Sequence, residues 1–156
     1  MLKLLLDTNI LGQLCHPKRA INKPVVDWLE QLETRPDLIQ LYVPAIADYE
    51  LRRKLLHLMK KQQITEVSLV HLNQLITRTN YLPLTKDTLL KAAELWADVR
   101  LKGLPTASPD SLDGDVILAA QAMEVGGMIV TQNRKHLARF VEAKGWEEIG
   151  IEGRGG

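Results

Sequence analysis

Apolar residues run almost unbroken through "MLKLLLD" and stop abruptly at a carboxylate, Asp7. So short a run reads as a buried strand. "TNILGQL" then turns helical. Asn22 caps a helix with Pro24 in its first turn, and Val25, Val26, Trp28, Leu29 and Leu32 suit one face of it. Arg35-Pro36-Asp37 is a turn, and "LIQLYVP" is the next strand, closed by Pro44. From Ala45 to about Lys61 the pattern is helical, with Leu51, Leu55 and Leu58 at i, i+4 and i+7. A second helix runs roughly from Thr65 to Thr77. "NYLPLT" is a short strand whose Pro83 suits a sheet edge. "TKDTLLKAAELWADVRLKG" is the clearest helix: Thr85 or Asp87 caps it, Leu89, Ala93 and Trp96 share a face, and Gly103 ends it. "LPTASPDSLDG" reads as a loop by composition. "DVILAAQAMEVG" is a helix, "MIVTQN" a buried strand, "RKHLARFVEAKG" a short helix and "WEEIG" a last short strand. This alternation predicts an α/β fold with a mainly parallel sheet and helices on both faces.

Composition narrows the picture. A chain of 156 residues suits one domain, and a 46% hydrophobic fraction excludes a disordered one. The domain is expected over 1–150. Ile151-Glu152-Gly153-Arg154 matches the recognition sequence of a processing protease often appended to recombinant chains, so 151–156 is expected to be an added tail. Lys and Arg number 20 against 19 Asp and Glu, a net charge of +1. That balance excludes nucleic-acid binding by bulk positive charge; such a partner must be held locally. The single cysteine, Cys15, fits a reducing compartment. The apolar N-terminal run is too short for a signal peptide or a membrane span, so a cytoplasmic protein without a membrane partner is expected.

Ligand sites of open α/β sheets lie at the carboxyl ends of strands. Asp7 follows the first strand, and Thr131, Gln132 and Asn133 follow the late one. Glu50 lies near the start of the long helix after the second strand, and Asp113 and Asp115 lie at the start of a later helix. If the sheet gathers these ends, several carboxylates face one another, and a hard divalent cation bound through oxygen resolves their repulsion. Taken singly, each residue has an ordinary reading. Asp7, Asp113 and Asp115 fit helix caps, Glu50 fits an ion pair with Arg53 or Lys54, and Asn133 fits a turn.

These segments, in this order, resemble the PIN-domain nucleases, the family that includes VapC-type toxins. "LLLDTNI" resembles its opening strand with Asp7 at the acidic position, and "VPAIADYELRR" the segment carrying the second acid, Glu50. "DGDVILAAQA" resembles its Asp-x-x-Ile-Ala-Ala helix start, with Asp115 as third acid and Leu118 in the Ile position. "MIVTQNRKHL" resembles its Val-Thr-x-Asn/Asp segment, with Asn133 where many members have Asp. The likeness covers nearly the whole chain. The helical stretch between Lys60 and Thr79 makes the chain somewhat longer than the compact toxins.

The resemblance implies a three-layer α/β/α sandwich around a mainly parallel sheet of about five strands. It implies an endoribonuclease that uses Mg²⁺ or Mn²⁺ and leaves a 5′-phosphate and a 3′-hydroxyl. Asp7, Glu50, Asp115 and Asn133 are then the catalytic set. Asp7, Glu50 and Asp115 hold the metal, and Asp113 adds a carboxylate from the preceding turn. Thr8, Asn9 and Thr131 orient ligands or water. Arg52, Arg53, Arg134 and Lys135 contact the RNA backbone; a solvated helix face is the plain alternative for these clusters. A cognate antitoxin and a homodimer are the implied partners. Two rivals stand beside this reading. One is a non-catalytic scaffold, kept open by Asn133. The other is an aspartyl-phosphate phosphohydrolase, which favours an Asp-x-Asp pair where this chain has Asn9.

Overall fold

The computed structural model describes residues 1–103 and 109–150. The expected tail, 151–156, and residues 104–108 of the expected loop lie outside the described residues. The strands are β1 (Leu2–Leu6), β2 (Ile39–Pro44), β3 (Asn80–Leu82), β4 (Met128–Val130) and β5 (Ala143–Lys144). They form one sheet in the order β3-β2-β1-β4-β5. Every pairing is parallel, with Leu4 of β1 opposite Leu41 of β2 and Met128 of β4. The helices are α1 (Thr8–Leu14), α2 (Lys23–Glu33), α3 (Ala45–Lys60), α4 (Val67–Arg78), α5 (Lys86–Lys102), α6 (Pro109–Val125) and α7 (Arg134–Leu137).

The continuous apolar runs of the strands follow from burial on both faces. Side chains alternate between two cores. Leu4, Leu6, Leu41, Val43, Met128 and Val130 face α1, α2, α3 and α4. Leu5, Tyr42 and Ile129 face Leu118 and Ala122 of α6 and Leu137 of α7. Helix α5 packs outside α6 through Ala92, Leu95 and Val99. The result is the expected three-layer α/β/α sandwich. The chain runs outward from β1 through β2 to β3, then returns to place β4 on the other side of β1. The point where this order reverses, between β1 and β4, is where such sheets open a crevice.

Three expectations need correction. Helix α6 begins at Pro109, not after Gly114, because proline suits a first helical turn and Leu112 and Val116 bury against α5. "RKHLARFVEAKG" is helical only over Arg134–Leu137; its end becomes β5, which pairs with Ile129 and Val130. "WEEIG" is no strand: Trp146–Glu148 is a 3-10 turn. It is anchored by Trp28, whose indole donates to Ile149 O at 2.8 Å. Pro83 follows an edge strand, as expected. Thr85 rather than Asp87 caps α5, its hydroxyl accepting from Thr88 N at 3.1 Å. The shared face of Leu89, Ala93 and Trp96 exists, but it borders an open groove, with Leu89 and Trp96 exposed.

Candidate active site

Asp7 is one residue past β1, and its amide still donates to Val130 O of β4 at 3.0 Å. Its side chain then does two things. One oxygen, Oδ1, accepts from Thr8 N at 2.7 Å and so caps α1. The other, Oδ2, accepts from the Thr131 hydroxyl at 2.6 Å. Thr131 follows β4, and its hydroxyl oxygen accepts from Asn133 N at 2.9 Å. Asn9 Oδ1 accepts from Gln132 N at 3.3 Å, a second tie between the start of α1 and the loop after β4. Thr8 Oγ1 donates to Glu50 Oε1 at 2.7 Å, which brings in α3. Helix α6 completes the site with Asp115.

Asp7, Glu50, Asp115 and Asn133 thus line one cleft of about 530 Å³, together with Thr8 and Asn9. Gly114 is part of this construction. A Cβ there would stand 2.5 Å from Glu50 Oε2, so only a glycine leaves the carboxylate its place. The ordinary readings sort out accordingly. Asp7 is a helix cap and also a cleft residue. Glu50 turns to Thr8, not to Arg53 or Lys54. Neither Asp113 nor Asp115 caps α6, which starts earlier.

Asp113 does not join the cleft. It sits within α6, is exposed, and borders the groove formed with Leu89 and Trp96 of α5. Two residues along a helix turn the side chain about 200° away. The expectation of a carboxylate supplied from a preceding turn is therefore corrected. The basic residues are divided too. The Arg52 guanidinium is held by buried Asp48, Nη2 to Oδ1 at 3.0 Å, and Arg53 lies 5.0 Å over the Tyr49 ring. Neither lines the cleft, whereas Lys54 does. Arg134 and Lys135 are exposed on α7 beside Asn133, and Arg134 pairs with Glu148. Gly12, Gln13 and His16 line the cleft without having drawn notice in the sequence; Asn22, expected to cap α2, precedes that helix but makes no capping bond with its side chain, and it lines the cleft too. The signal was there in Thr8 and Asn9: a helix that presents them continues the same face at positions 12 and 13.

Burial lifts the Asp7 carboxyl above its ordinary range; hydrogen bonds from Thr131 and Thr8 oppose this, and the Glu50 charge adds to it. Asp115 is pushed up to about 6, by burial first and then by the Asp7 charge, with Arg139 opposing. An acid with a raised folded-state pKa binds protons more readily folded than unfolded, so its contribution to stability falls as pH rises through that window. In EDTA, Asp115→Asn and wild type should melt alike near pH 4. The variant should gain on wild type up to about pH 6 and keep a constant advantage above it. A melting series in pH tests this; an advantage that shrinks with rising pH contradicts it.

Among the described residues no three His, Cys, Asp or Glu side chains stand close enough together to hold a metal ion. Even so, the donors around the cleft suit a hard cation. Asp7, Glu50 and Asp115 are oxygen donors without His or Cys among them, and their mutual repulsion is what a divalent ion relieves.

Comparison with known proteins supports the architecture. A chain of the VapBC2 structure from Rickettsia felis, bound to a DNA fragment from its promoter, superposes with a TM-score of 0.71 at 19% identity, covering 93% of this chain and 99% of that one. VapBC-1 from nontypeable Haemophilus influenzae gives 0.69 at 20% identity, covering 94% and 99%. DNA-bound VapBC from Salmonella typhimurium gives 0.63 at 22% identity, again covering 94% and 99%. At these identities the likeness is one of fold. No curated protein matches the sequence. The PIN domain family model matches residues 4–142. The chain belongs to the PIN domain family.

Proposed function

We propose that the chain is an endoribonuclease that hydrolyses RNA phosphodiester bonds with the help of Mg²⁺ or Mn²⁺, and that it is the toxin of a toxin–antitoxin pair. The observation that carries this reading is the meeting of Asp7, Glu50 and Asp115 in one cleft from three separate segments. Two of the three resist ionisation through burial and mutual repulsion. These carboxylates would hold the cation, with the Asn133 side chain beside them. When bound, the cation activates a water and neutralises charge on the scissile phosphate.

The remaining residues have supporting tasks. Thr131 and Thr8 fix the orientation of Asp7 and Glu50 through the hydrogen bonds described. Lys54 places a positive charge at the cleft wall for the RNA backbone, and Arg134 and Lys135 extend that charge past Asn133. Asn9 is engaged with Gln132, so nothing favours it as the acid/base partner that an aspartyl-phosphate mechanism needs.

The fold is shared with chains of VapBC structures, which supports a partner chain that covers the cleft. A basic side chain of such an antitoxin would reach the acids. Homodimer formation belongs to the same reading, and Leu89, Leu90, Trp96 and Leu101 of α5 expose apolar surface for it. No helix of the described residues is long and apolar enough to cross a membrane. The cytoplasm suits an enzyme that acts on RNA.

The test is RNA cleavage by purified protein. Wild type should cleave with Mg²⁺ or Mn²⁺, EDTA should abolish cleavage, and Asp115→Asn should lower it on the order of a hundred-fold, as when several kcal/mol of charge stabilisation are lost. Cleavage at the wild-type rate by the variant, or in EDTA, overturns the reading.

A further inference from the structure

Beside the acids, the cleft is lined by α1. Residues Thr8, Asn9, Gly12 and Gln13 share the helix face opposite buried Ile10, Leu11 and Leu14, and His16, just past the helix, lines the same cleft. At about 1.5 Å per residue, Gln13 lies about 7–8 Å along the axis from Thr8, which holds Glu50. We propose that Gly12, Gln13, His16 and Asn22 form a subsite that holds and reads one base of the RNA next to the scissile phosphate. This rests on the nuclease reading given above.

Gly12 provides the first argument. It stands inside a helix, where alanine is favoured over glycine. Packing does not demand a glycine, since among the described residues a Cβ there meets only Leu51 Cδ1, at 4.0 Å. Both residues line the cleft, so a Cβ would use up space in it. The bare floor is therefore explained by what occupies the cleft rather than by the fold.

The second argument is hydrogen bonding. Gln13 Oε1 is buried without a hydrogen-bond partner among the described residues. An unpaired buried acceptor is unfavourable. Gln13 gives up no bond by turning toward a ligand, and an N–H on a base edge relieves the deficit. The walls beside it are held in place. Asn22 Nδ2 donates to Gln13 O at 3.1 Å, and His16 Nδ1 accepts from Lys18 N at 3.0 Å. The neutral His16 ring then carries its proton on Nε2, a donor. A side-chain amide beside a ring donor suits the hydrogen-bonding edge of an unpaired base. A cleft of about 530 Å³ has room for it alongside the phosphate.

The experiment uses RNA oligonucleotides identical except for one position at a time near the cut, with wild type, Gln13→Ala, Gly12→Ala and Asp7→Asn. Wild type should show a base preference at one position beside the cut. Gln13→Ala should reduce that preference about ten-fold in relative kcat/KM, the loss appearing mainly in KM. Gly12→Ala should melt at a higher temperature than wild type yet cleave less well. A wild-type enzyme indifferent to base, or Gln13→Ala and Gly12→Ala with wild-type preference and rate, overturns the subsite while leaving the nuclease reading in place. A wild-type enzyme that cleaves no RNA, or no better than Asp7→Asn, overturns both.

Discussion

Asp7→Asn is expected to lower RNA cleavage by on the order of a thousand-fold and to melt at or above the wild-type temperature at pH 7. The activity loss follows from removing one of three carboxylates from the cleft: charge neutralisation at such a site is worth several kcal/mol, and each 1.36 kcal/mol is about ten-fold in rate. The stability gain follows from the sign of the pKa shift. Burial and Glu50 raise the Asp7 carboxyl, so its ionised form burdens the folded state above that pKa. Asparagine removes the charge and keeps the shape. Its side-chain oxygen still accepts from Thr8 N, and its amide donates to the Thr131 hydroxyl. Activity and stability therefore move in opposite directions, the pattern of a functional site held against the preference of the fold. Cleavage at the wild-type rate would remove Asp7 from the chemistry. A marked fall in melting temperature would show that its charge supports the fold instead.

The residues legible in the sequence are those whose role is set locally. An apolar run broken by Asp7 marks the end of a strand whatever lies beside it. Thr131 and Asn133 announce themselves the same way after β4. Thr85 and Gly103 bracket α5 because caps are local chemistry. What was not legible depends on contacts distant in sequence. Ser111, Asp113 and Gly114 are weak helix formers, and they read as loop. They are helical because Leu112 and Val116 bury against Ala92, Leu95 and Val99. This shift of the helix start is also what separates Asp113 from Asp115. Ala143 and Lys144 form a strand only because β4 offers a free edge and Val141 and Ala143 pack on the second core. Arg52 looked like a surface cation because nothing in its neighbourhood says that Asp48 is buried. The four corners of the cleft could thus be named from the chain, whereas its wall along α1 needed the cavity to be seen.

Gly114→Ala is expected to separate cleavage from stability more cleanly than any acid substitution, since it leaves every charge in place. Glycine inside a helix is unfavourable by about 0.5–1 kcal/mol relative to alanine, so the variant starts with a gain. The three atoms nearest the added Cβ all belong to the Glu50 carboxylate, Oε2 at 2.5 Å, Cδ at 3.3 Å and Oε1 at 3.6 Å. Only the end of a flexible side chain has to move, and the helix pair α3–α6 stays. The carboxylate that moves is the one held by Thr8 Oγ1 at 2.7 Å. Its displacement takes Glu50 out of register with Asp7 and Asp115. A misplacement of about 1 Å at a reacting centre lowers rates about a hundred-fold. The expected outcome is a protein that melts at or slightly above the wild-type temperature, cleaves RNA about a hundred-fold more slowly and binds Mg²⁺ more weakly by calorimetry. Gly114→Ala with wild-type cleavage would mean that the place of Glu50 beside α6 has no part in the chemistry. Gly114→Ala with a lowered melting temperature would mean that the glycine serves helix packing, and the link from a missing Cβ to a placed carboxylate would fall.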